Sequence, residues 1–290
     1  MPFILFLLFI STAIPKTYFT AYCPDINSDS NTIQMVDLQL MGLKGAVKNI
    51  KEVSTQKGKL LTNLYEFNEA GNLILEEYYE DTVLNKKLIR TYDEQGVLTL
   101  KTIHHQDFSS LSTTYEYNRK GQLIKEIESD EDYTLFKYNG KGQLVEETVY
   151  AGEEILLKIT YDYNKRGDLI ESAEYDSDGR KAVVEILTYN ELGLKTSITE
   201  FEGEQLIQER YFVYNGANQL IEEGIKDANA TIEQLWKKEY DQNGNLKQLI
   251  WTDITSKKTR IQSFEYDQQG NWIVHKIGET QSTTREIQYF

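Results

Sequence analysis

The sequence predicts an all-β fold: a repeat array of antiparallel β-hairpins that forms one large twisted or spirally wound sheet. Three observations predict it. A short motif recurs nine times: an aromatic residue, Asn or Asp, two variable residues, and then Gly in eight copies and Asn in one. The residues before each motif alternate between apolar and polar, which is typical of half-buried strands. All three prolines fall within the first 24 residues, so the rest of the chain keeps its backbone N–H groups for a ladder.

Each motif predicts a tight hairpin turn. The last residue of the motif, here called the anchor, recurs at intervals of 25, 25, 21, 25, 26, 25, 26 and 26 residues. The nine anchors are Gly71, Gly96, Gly121, Gly142, Gly167, Gly193, Asn218, Gly244 and Gly270. We expect a positive φ at each, in a type I turn closed by a G1 bulge, with the preceding Asn or Asp accepting a hydrogen bond from the backbone two residues on. Asn218 fits this expectation, because Asn tolerates the left-handed region best after Gly.

The strand that enters each turn predicts the core. In one repeat, Ile159, Tyr161 and Tyr163 share a face, and Thr160 and Asp162 share the other. An aromatic residue stands four positions before every anchor, and often a second stands six before it. We expect these rings to point inward and stack from repeat to repeat. The strand that leaves the turn opens with Leu in seven repeats.

A second turn closes each cycle about ten residues after the anchor. Turn-forming segments lie at 129–132, 151–154, 176–179, 202–204 and 227–230. The one short interval removes four residues, two from each strand, so side chains keep their faces. Gly45, 26 residues before Gly71, indicates a degenerate opening repeat, and Arg285–Phe290 resembles an entering strand. The resulting 18 to 20 strands would extend about 90 Å as one flat sheet, so strong twisting and partial closure are expected.

The N-terminal segment predicts export. Residues 3–14 are nearly all apolar, which suits the core of a signal peptide and is too short for a membrane-spanning helix. We assign residues 1–22 to a signal peptide, 23–42 to a lead-in and 43–290 to the repeats, with no transmembrane span in the mature chain. A first strand or an anchoring segment is the alternative for the apolar stretch. Cys23, the single cysteine, excludes an intramolecular disulfide and leaves lipidation open.

Charge and motif content exclude several functions. A net charge of −15 and a pI near 4.8 argue against nucleic acid as a partner. His104 and His105 are adjacent on a strand and point to opposite faces, and His275 lacks neighbours at ligand spacing. The acidic turns at 176–179 and 241–245 lack the full calcium-loop pattern. The sequence therefore predicts no catalytic residue, no metal site and no cofactor.

The motif resembles that of the YD-repeat, or RHS, family. The segments YEYNRKGQL (115–123), YDYNKRGDL (161–169) and FEYDQQGNW (264–272) are close to the family pattern, and the likeness covers residues 43–290. It implies a β-shell in a secreted or surface-attached bacterial protein; some members enclose a toxin or bind carbohydrate. The proline-containing core motif and toxin of large members are missing, so the chain resembles a short, toxin-less relative.

The expected function is that of an exported, non-enzymatic β-repeat protein, a binding or structural module at the bacterial cell envelope. Its partner is unknown; a polysaccharide and a cell-surface protein are the candidates. One alternative is a polysaccharide-binding protein, since exposed rings stack on sugars. The aromatic residues considered for that role are Tyr115, Tyr161, Trp236, Trp251 and Trp272. The other alternative is a carboxylate-dependent hydrolase.

Overall fold

The computed structural model describes residues 37–128 and 132–290. The predicted signal peptide, Cys23 and most of the predicted turn at 129–132 lie outside the described residues. The elements are α1 (Asp37–Leu40), β1 (Val47–Gln56), β2 (Lys59–Phe67), β3 (Leu73–Glu80), β4 (Val83–Tyr92), β5 (Leu98–His105), β6 (Ser110–Tyr117), β7 (Leu123–Ile127), β8 (Asp132–Tyr138), β9 (Leu144–Ala151), β10 (Glu154–Tyr163), β11 (Leu169–Tyr175), β12 (Lys181–Tyr189), β13 (Lys195–Glu202), β14 (Gln205–Tyr214), β15 (Leu220–Asp227), β16 (Ile232–Tyr240), β17 (Leu246–Asp253), β18 (Lys258–Tyr266), β19 (Trp272–Ile277) and β20 (Gln281–Tyr289). Within these ranges, no helix has the length and apolar character needed to cross a membrane.

Every strand pairs antiparallel with the next along the chain, from β1 to β20. β20 then pairs antiparallel with β1, so the sheet has no free edge. The predicted all-β hairpin array is thus confirmed, and the sheet closes on itself completely rather than in part. Twenty strands about 4.8 Å apart give a perimeter of about 96 Å and, for a circular section, a backbone diameter of about 30 Å.

The first and last strands are two halves of one repeat. In an ordinary hairpin the backbone N–H of Asn164 donates to the carbonyl of Asp168, just past the anchor, at 2.9 Å. Phe290 N–H donates in the same way to Ala46, just past Gly45, at 2.9 Å. Gly45, with φ 79°, therefore acts as the anchor of a tenth hairpin whose entering strand comes from the other end of the described chain. Its two halves were read in the sequence as separate fragments.

The turns have the geometry that their residues favour. The eight anchor glycines have φ between 77° and 101°, and Asn218 has φ 63°. At one of them, Gly121 N–H donates to the Asn118 carbonyl at 2.9 Å. The Asn118 side chain accepts from the N–H of Lys120 at 2.9 Å, two residues on. The side chain three positions before the anchor thus accepts a hydrogen bond from a backbone N–H that the turn would otherwise leave unpaired.

The two faces of the sheet differ in exposure. The residues four and six positions before each anchor lie on the face called here the tyrosine face, and none of them is exposed. The residues five positions before, such as Asp162 and Thr188, are exposed in every repeat. Side chains on the concave side of a closed sheet crowd together, so the tyrosine face is assigned to the interior. The short hairpin of β7 and β8 keeps this alternation, because Glu126 still lies opposite Thr134.

The buried core is smaller than the sequence suggested, and it lies elsewhere. Most tyrosines of the tyrosine face are only half-buried, because a ring this wide is not filled by its own side chains. The buried apolar cluster lies where β20 meets β1, and segment 37–46 packs against it. The cluster comprises Leu38, Leu43, Val47, Ile50, Phe67 and Leu73, with Tyr65, Ile287 and Tyr289 beside it.

Candidate binding face

Tyrosine hydroxyls join neighbouring hairpins at the anchor end of the tyrosine face. The hydroxyl of Tyr163 donates to the carbonyl of Leu144 on the adjacent strand at 2.7 Å. The β9–β10 ladder has already ended at Thr160 and Glu146, so no ladder bond from β10 reaches this carbonyl. The same bond, at 2.7 to 2.9 Å, joins Tyr92 to Leu73, Tyr138 to Leu123, Tyr189 to Leu169, Tyr214 to Lys195, Tyr240 to Leu220 and Tyr266 to Leu246.

Burial raises the pKa of the phenols of Tyr138, Tyr240 and Tyr266 above the ordinary tyrosine value. It raises the pKa of Tyr117 in the same row to about 12. These hydroxyls therefore stay protonated and available as donors at neutral pH. We therefore interpret the row of tyrosines first as connections between neighbouring repeats and only second as a ligand site.

A second side chain strengthens several of these joints. The residue after the anchor donates its amide to a carbonyl of the next repeat: Gln122 to Gly142 at 2.9 Å, and Gln143 to Gly167 at 3.2 Å. Asn271, just before β19, does the same to the segment that leads into β1, donating to the carbonyl of Lys44 at 2.7 Å. The rim of the ring is thus held by amide and phenol groups where the backbone ladder stops.

Deeper on the tyrosine face, an ion pair and an aromatic ring meet at the β20–β1 joint. Arg285 contacts Glu52 at 2.7 Å, and both side chains are more than four-fifths buried. The Arg285 guanidinium lies 3.4 Å from the centre of the Trp272 ring, a cation–π contact. Tyr65 also donates its hydroxyl to Glu52, at 3.3 Å. Trp272, one of the candidate aromatics, is therefore covered on one face by a cation.

The same pattern continues on the next strands. The rings of Tyr65 and Tyr78 meet edge to face at 6.3 Å between centres. Tyr78 donates its hydroxyl to Glu76, and Arg90 contacts the other oxygen of that carboxylate at 2.5 Å. Burial and the carboxylate together raise the pKa of Tyr78. Charged and aromatic side chains thus form a continuous belt from β4 through β1 to β20.

His275 ends this belt without a metal-site or acid–base geometry. Its ring stacks on Phe264 at 4.6 Å between centres, and its Nε2 lies 2.8 Å from the side-chain oxygen of Gln262. Burial, followed by the charge of Arg285, lowers the pKa of His275. The imidazole is therefore neutral at pH 7 and packs as an aromatic group.

Trp236 and Trp251 form a second aromatic cluster. They lie directly opposite each other on β16 and β17, both half-buried on the tyrosine face. Arg210 lies 5.7 Å from the ring centre of Trp236, and Arg260 lies 5.5 Å from that of Trp251. The Trp251 indole N–H donates to Gln234 at 3.3 Å. This cluster combines flat apolar surfaces with two cations.

Tyr115 and Tyr161 lie far from both clusters, beside carboxylates. Tyr115 is opposite Glu126, and Tyr161 shares the face with Glu147 of the adjacent strand. Burial raises the pKa of both carboxyl groups. All five candidate aromatics thus share the tyrosine face, but the structure does not bring them into one site.

The other side chains considered in the sequence have local roles or are exposed. His104 and His105 are exposed neighbours at the end of β5. The carboxylates of Asp176 and Asp241 accept hydrogen bonds from backbone N–H groups of their own turns. Among the described residues, no group of three or more His, Cys, Asp or Glu is placed to hold a metal ion.

Sequence reasoning missed the ion pairs of the belt. Glu52 and Arg285 are 233 positions apart and meet only because the ring closes. Glu76 and Arg90 belong to neighbouring strands, at five positions after one anchor and six before the next. The opposite charges at these two positions, five after one anchor and six before the next, are the sequence signal that could have suggested the pair of Glu76 and Arg90.

The comparisons with known protein families and curated proteins assign no role to this chain. Residues 113–184, about a quarter of the chain, match a family described as "Uncharacterised protein". No curated protein matches the chain.

Three solved structures are similar over most of this chain. The TcdB2–TccC3–Cdc42 structure is 14% identical, with a TM-score of 0.42 over 80% of this chain and 15% of its own. A porin-like protein from Bacteroides uniformis is 13% identical, with a TM-score of 0.42 over 84% of this chain and 99% of its own. The Tc holotoxin pore of Photorhabdus luminescens is 11% identical, with a TM-score of 0.32 over 77% and 15%. The chain thus spans about 15% of the first and third proteins.

Proposed function

We propose that this protein is an exported, non-enzymatic β-repeat shell that acts as a binding module at the bacterial cell envelope, with its ligand on the tyrosine face. The observation that carries the proposal is the character of that face. A closed ring about 30 Å across is too wide for its side chains to fill. The face accordingly keeps half-exposed aromatic rings next to arginines and carboxylates, which is the composition of a recognition surface rather than of a dry core.

The rest of the proposal is supported by sequence features. The apolar stretch at residues 3–14 favours export. The nine motifs favour membership of the YD-repeat family. Ion pairing favours a non-enzymatic role, because Glu52 and Glu76 are each held by a shielded arginine and their charge is already neutralised.

A second candidate function is polysaccharide binding at Trp236 and Trp251. The two indoles are cross-strand neighbours on the tyrosine face, a spacing that suits consecutive sugar rings. Arg260 lies beside Trp251, and Arg210, beside Trp236, is paired with Glu223 at 3.8 Å, so the two indoles rather than the cations define the ligand class.

The test is a binding screen with variants on each face. Residues 24–290 are probed on a glycan array and used to capture partners from an envelope extract. The variant Trp236→Ala with Trp251→Ala should lose the retained glycan. The matched control, Tyr133→Ala with Tyr150→Ala, removes a stacked aromatic pair from the opposite face and should keep it. Binding that survives the tryptophan change and fails in the control would place the ligand on the outer face and reject the proposal.

A further inference from the structure

The joint between β20 and β1 differs in kind from the other nineteen. Each other pair of neighbouring strands is consecutive in the chain and is connected at one end by a turn. β20 and β1 are connected by pairing alone, over the register from Val47 opposite Tyr289 to Ser54 opposite Thr283. When this pair separates, no turn keeps the two strands together, whereas the strands of any other pair stay connected through their turn.

Segment 37–46 supplies the contacts that a turn would otherwise provide, and it is called here the clasp. Lys44 N–H donates to the side-chain oxygen of Asn271 at 2.7 Å, and the Asn271 amide donates back to the Lys44 carbonyl at 2.7 Å. Asn271 is 2% exposed and also donates to the Tyr289 hydroxyl at 2.8 Å. Leu38 N–H donates to the Gly71 carbonyl at 3.1 Å, which fixes the clasp to the β2–β3 turn on the β1 side of the joint.

The clasp also provides much of the apolar burial at this joint. Leu38 and Leu43 of the clasp pack into the buried cluster with Val47 and Ile50 of β1. Ordinary joints have no comparable cluster among the described residues; their tyrosines stay half-buried. The buried members of the cluster lie in the clasp and in β1 to β3, and Ile287 and Tyr289 of β20 pack against them as partly buried neighbours, so the cluster supports the β1 side of the one joint that lacks a covalent turn.

We infer that the closed sheet opens at the β20–β1 joint, and that the clasp, through Asn271, controls this opening. Opening there leaves all other hairpins intact and exposes the tyrosine face from the side. A long ligand then reaches the interior without threading through the ring. The access of a ligand rests on the proposed function, whereas the opening of the ring does not.

Hydrogen–deuterium exchange on the full chain tests the inference, with Asn271→Ala as the perturbation and Gln143→Ala as the matched control. Both changes remove an amide that donates to a carbonyl of the next repeat: Asn271, just before β19, bonds the clasp that leads into β1, and Gln143, just before β9, bonds the turn that follows β10. Local opening sets amide exchange rates. We expect Asn271→Ala to speed exchange in β1 and β20 by about tenfold or more, and Gln143→Ala to leave β9 and β10 within about threefold of the unchanged protein. Equal effects at both joints would overturn the inference.

A crosslink gives a second measurement that does not weaken the fold. In a Cys23→Ser background, Val53→Cys with Thr284→Cys places two thiols opposite each other across the joint. Gln248→Cys with Ser263→Cys does the same across the ordinary β17–β18 joint. Oxidation of the first pair should slow exchange in β1 and β20 relative to the reduced protein, and oxidation of the second should slow exchange in β17 and β18 much less. An oxidised β20–β1 joint that exchanges as fast as the reduced one would show that the ring does not open there.

Discussion

Replacing the anchor glycine of one turn isolates the cost of a left-handed backbone. Gly121 has φ 77°, and a Cβ built at this position meets no heavy atom within 4 Å. The penalty for a larger residue therefore comes from the backbone and not from a clash. We expect Gly121→Val to lower the free energy of unfolding by about 1–2 kcal/mol or more, and Gly121→Asn to lower it by a fraction of that.

Gly140 is the matched control for this experiment. It lies in the next anchor turn, two positions before Gly142, with open space around its Cα and a φ outside the left-handed region. Gly140→Ala should therefore raise the free energy of unfolding by about 0.4–1 kcal/mol, because it restricts the unfolded chain alone.

Urea unfolding of the three variants, followed by circular dichroism, measures these differences. The reasoning requires opposite signs at Gly121 and Gly140 and a clear gap between Val and Asn at Gly121. If Val and Asn shift the midpoint equally, or if Gly140→Ala destabilises as much as Gly121→Val, positive φ is not what selects the anchor residue.

Three further predictions test the faces and joints. Burial raises the pKa of Glu147, so the native state holds the carboxyl proton more tightly than the unfolded state does. The stability of the protein therefore declines as the pH rises above the ordinary value of 4.5. Glu147→Gln should stabilise the protein at pH 7, and this gain should vanish below pH 4.5. Hydrogen bonds from two lysines lower the pKa of its neighbour Glu146, so Glu146→Gln should destabilise the protein at pH 7 and lose that effect in acid. Urea unfolding at pH 7 and below pH 4.5 measures both variants, and a change in stability of the same sign for Glu147→Gln and Glu146→Gln at pH 7 would contradict the face assignment. Tyr163→Phe should lower the free energy of unfolding by about 1–3 kcal/mol in the same assay, because it leaves the partly buried carbonyl of Leu144 without its donor. A change within about 0.5 kcal/mol would show that the tyrosine hydroxyl does not stabilise the contact between repeats. Gly224→Ala places a Cβ 2.5 Å from the ring of Tyr211 and should cost about 1–3 kcal/mol, most of which Tyr211→Ala in the double variant should recover; additive losses would show that the ring is not the obstacle.

Local features were readable from the sequence because each depends on a few adjacent residues. Asn118 and Gly121 specify their turn by side-chain acceptance and by tolerance of positive φ, whatever the rest of the chain does. Alternation along β10 likewise placed Tyr161 and Tyr163 on one face. YD-repeat membership stays a prediction, since the family that matches residues 113–184 is described as "Uncharacterised protein".

Partial closure was expected from the number of strands, but complete closure was not readable, because it depends on contacts between distant repeats. The residues around Gly45 and around Arg285 carry no signal that the two segments pair, and each segment alone resembles an incomplete repeat. The same limit explains the core. A single repeat does not encode the radius of the ring, so the half-exposed state of tyrosines such as Tyr163 followed from the strand number rather than from their neighbours in sequence.

A closed sheet of consecutive antiparallel strands requires an even number of strands, and this yields a final prediction. Deleting residues 143–167 removes β9 and β10 and joins Gly142 to Asp168, which keeps a complete anchor turn. The perimeter falls by about 10 Å of about 96 Å, so β20 still meets β1 antiparallel and the ring closes with 18 strands. Deleting a single strand with one turn makes β1 and β20 parallel, and the pairing between Val47 and Tyr289 is lost. The Val53→Cys and Thr284→Cys crosslink should therefore form in the full-length protein and in the 18-strand variant, and fail in the 19-strand one. Crosslinking in the odd-numbered variant, or its failure in the even-numbered one, would show that continuous antiparallel pairing is not what closes the sheet.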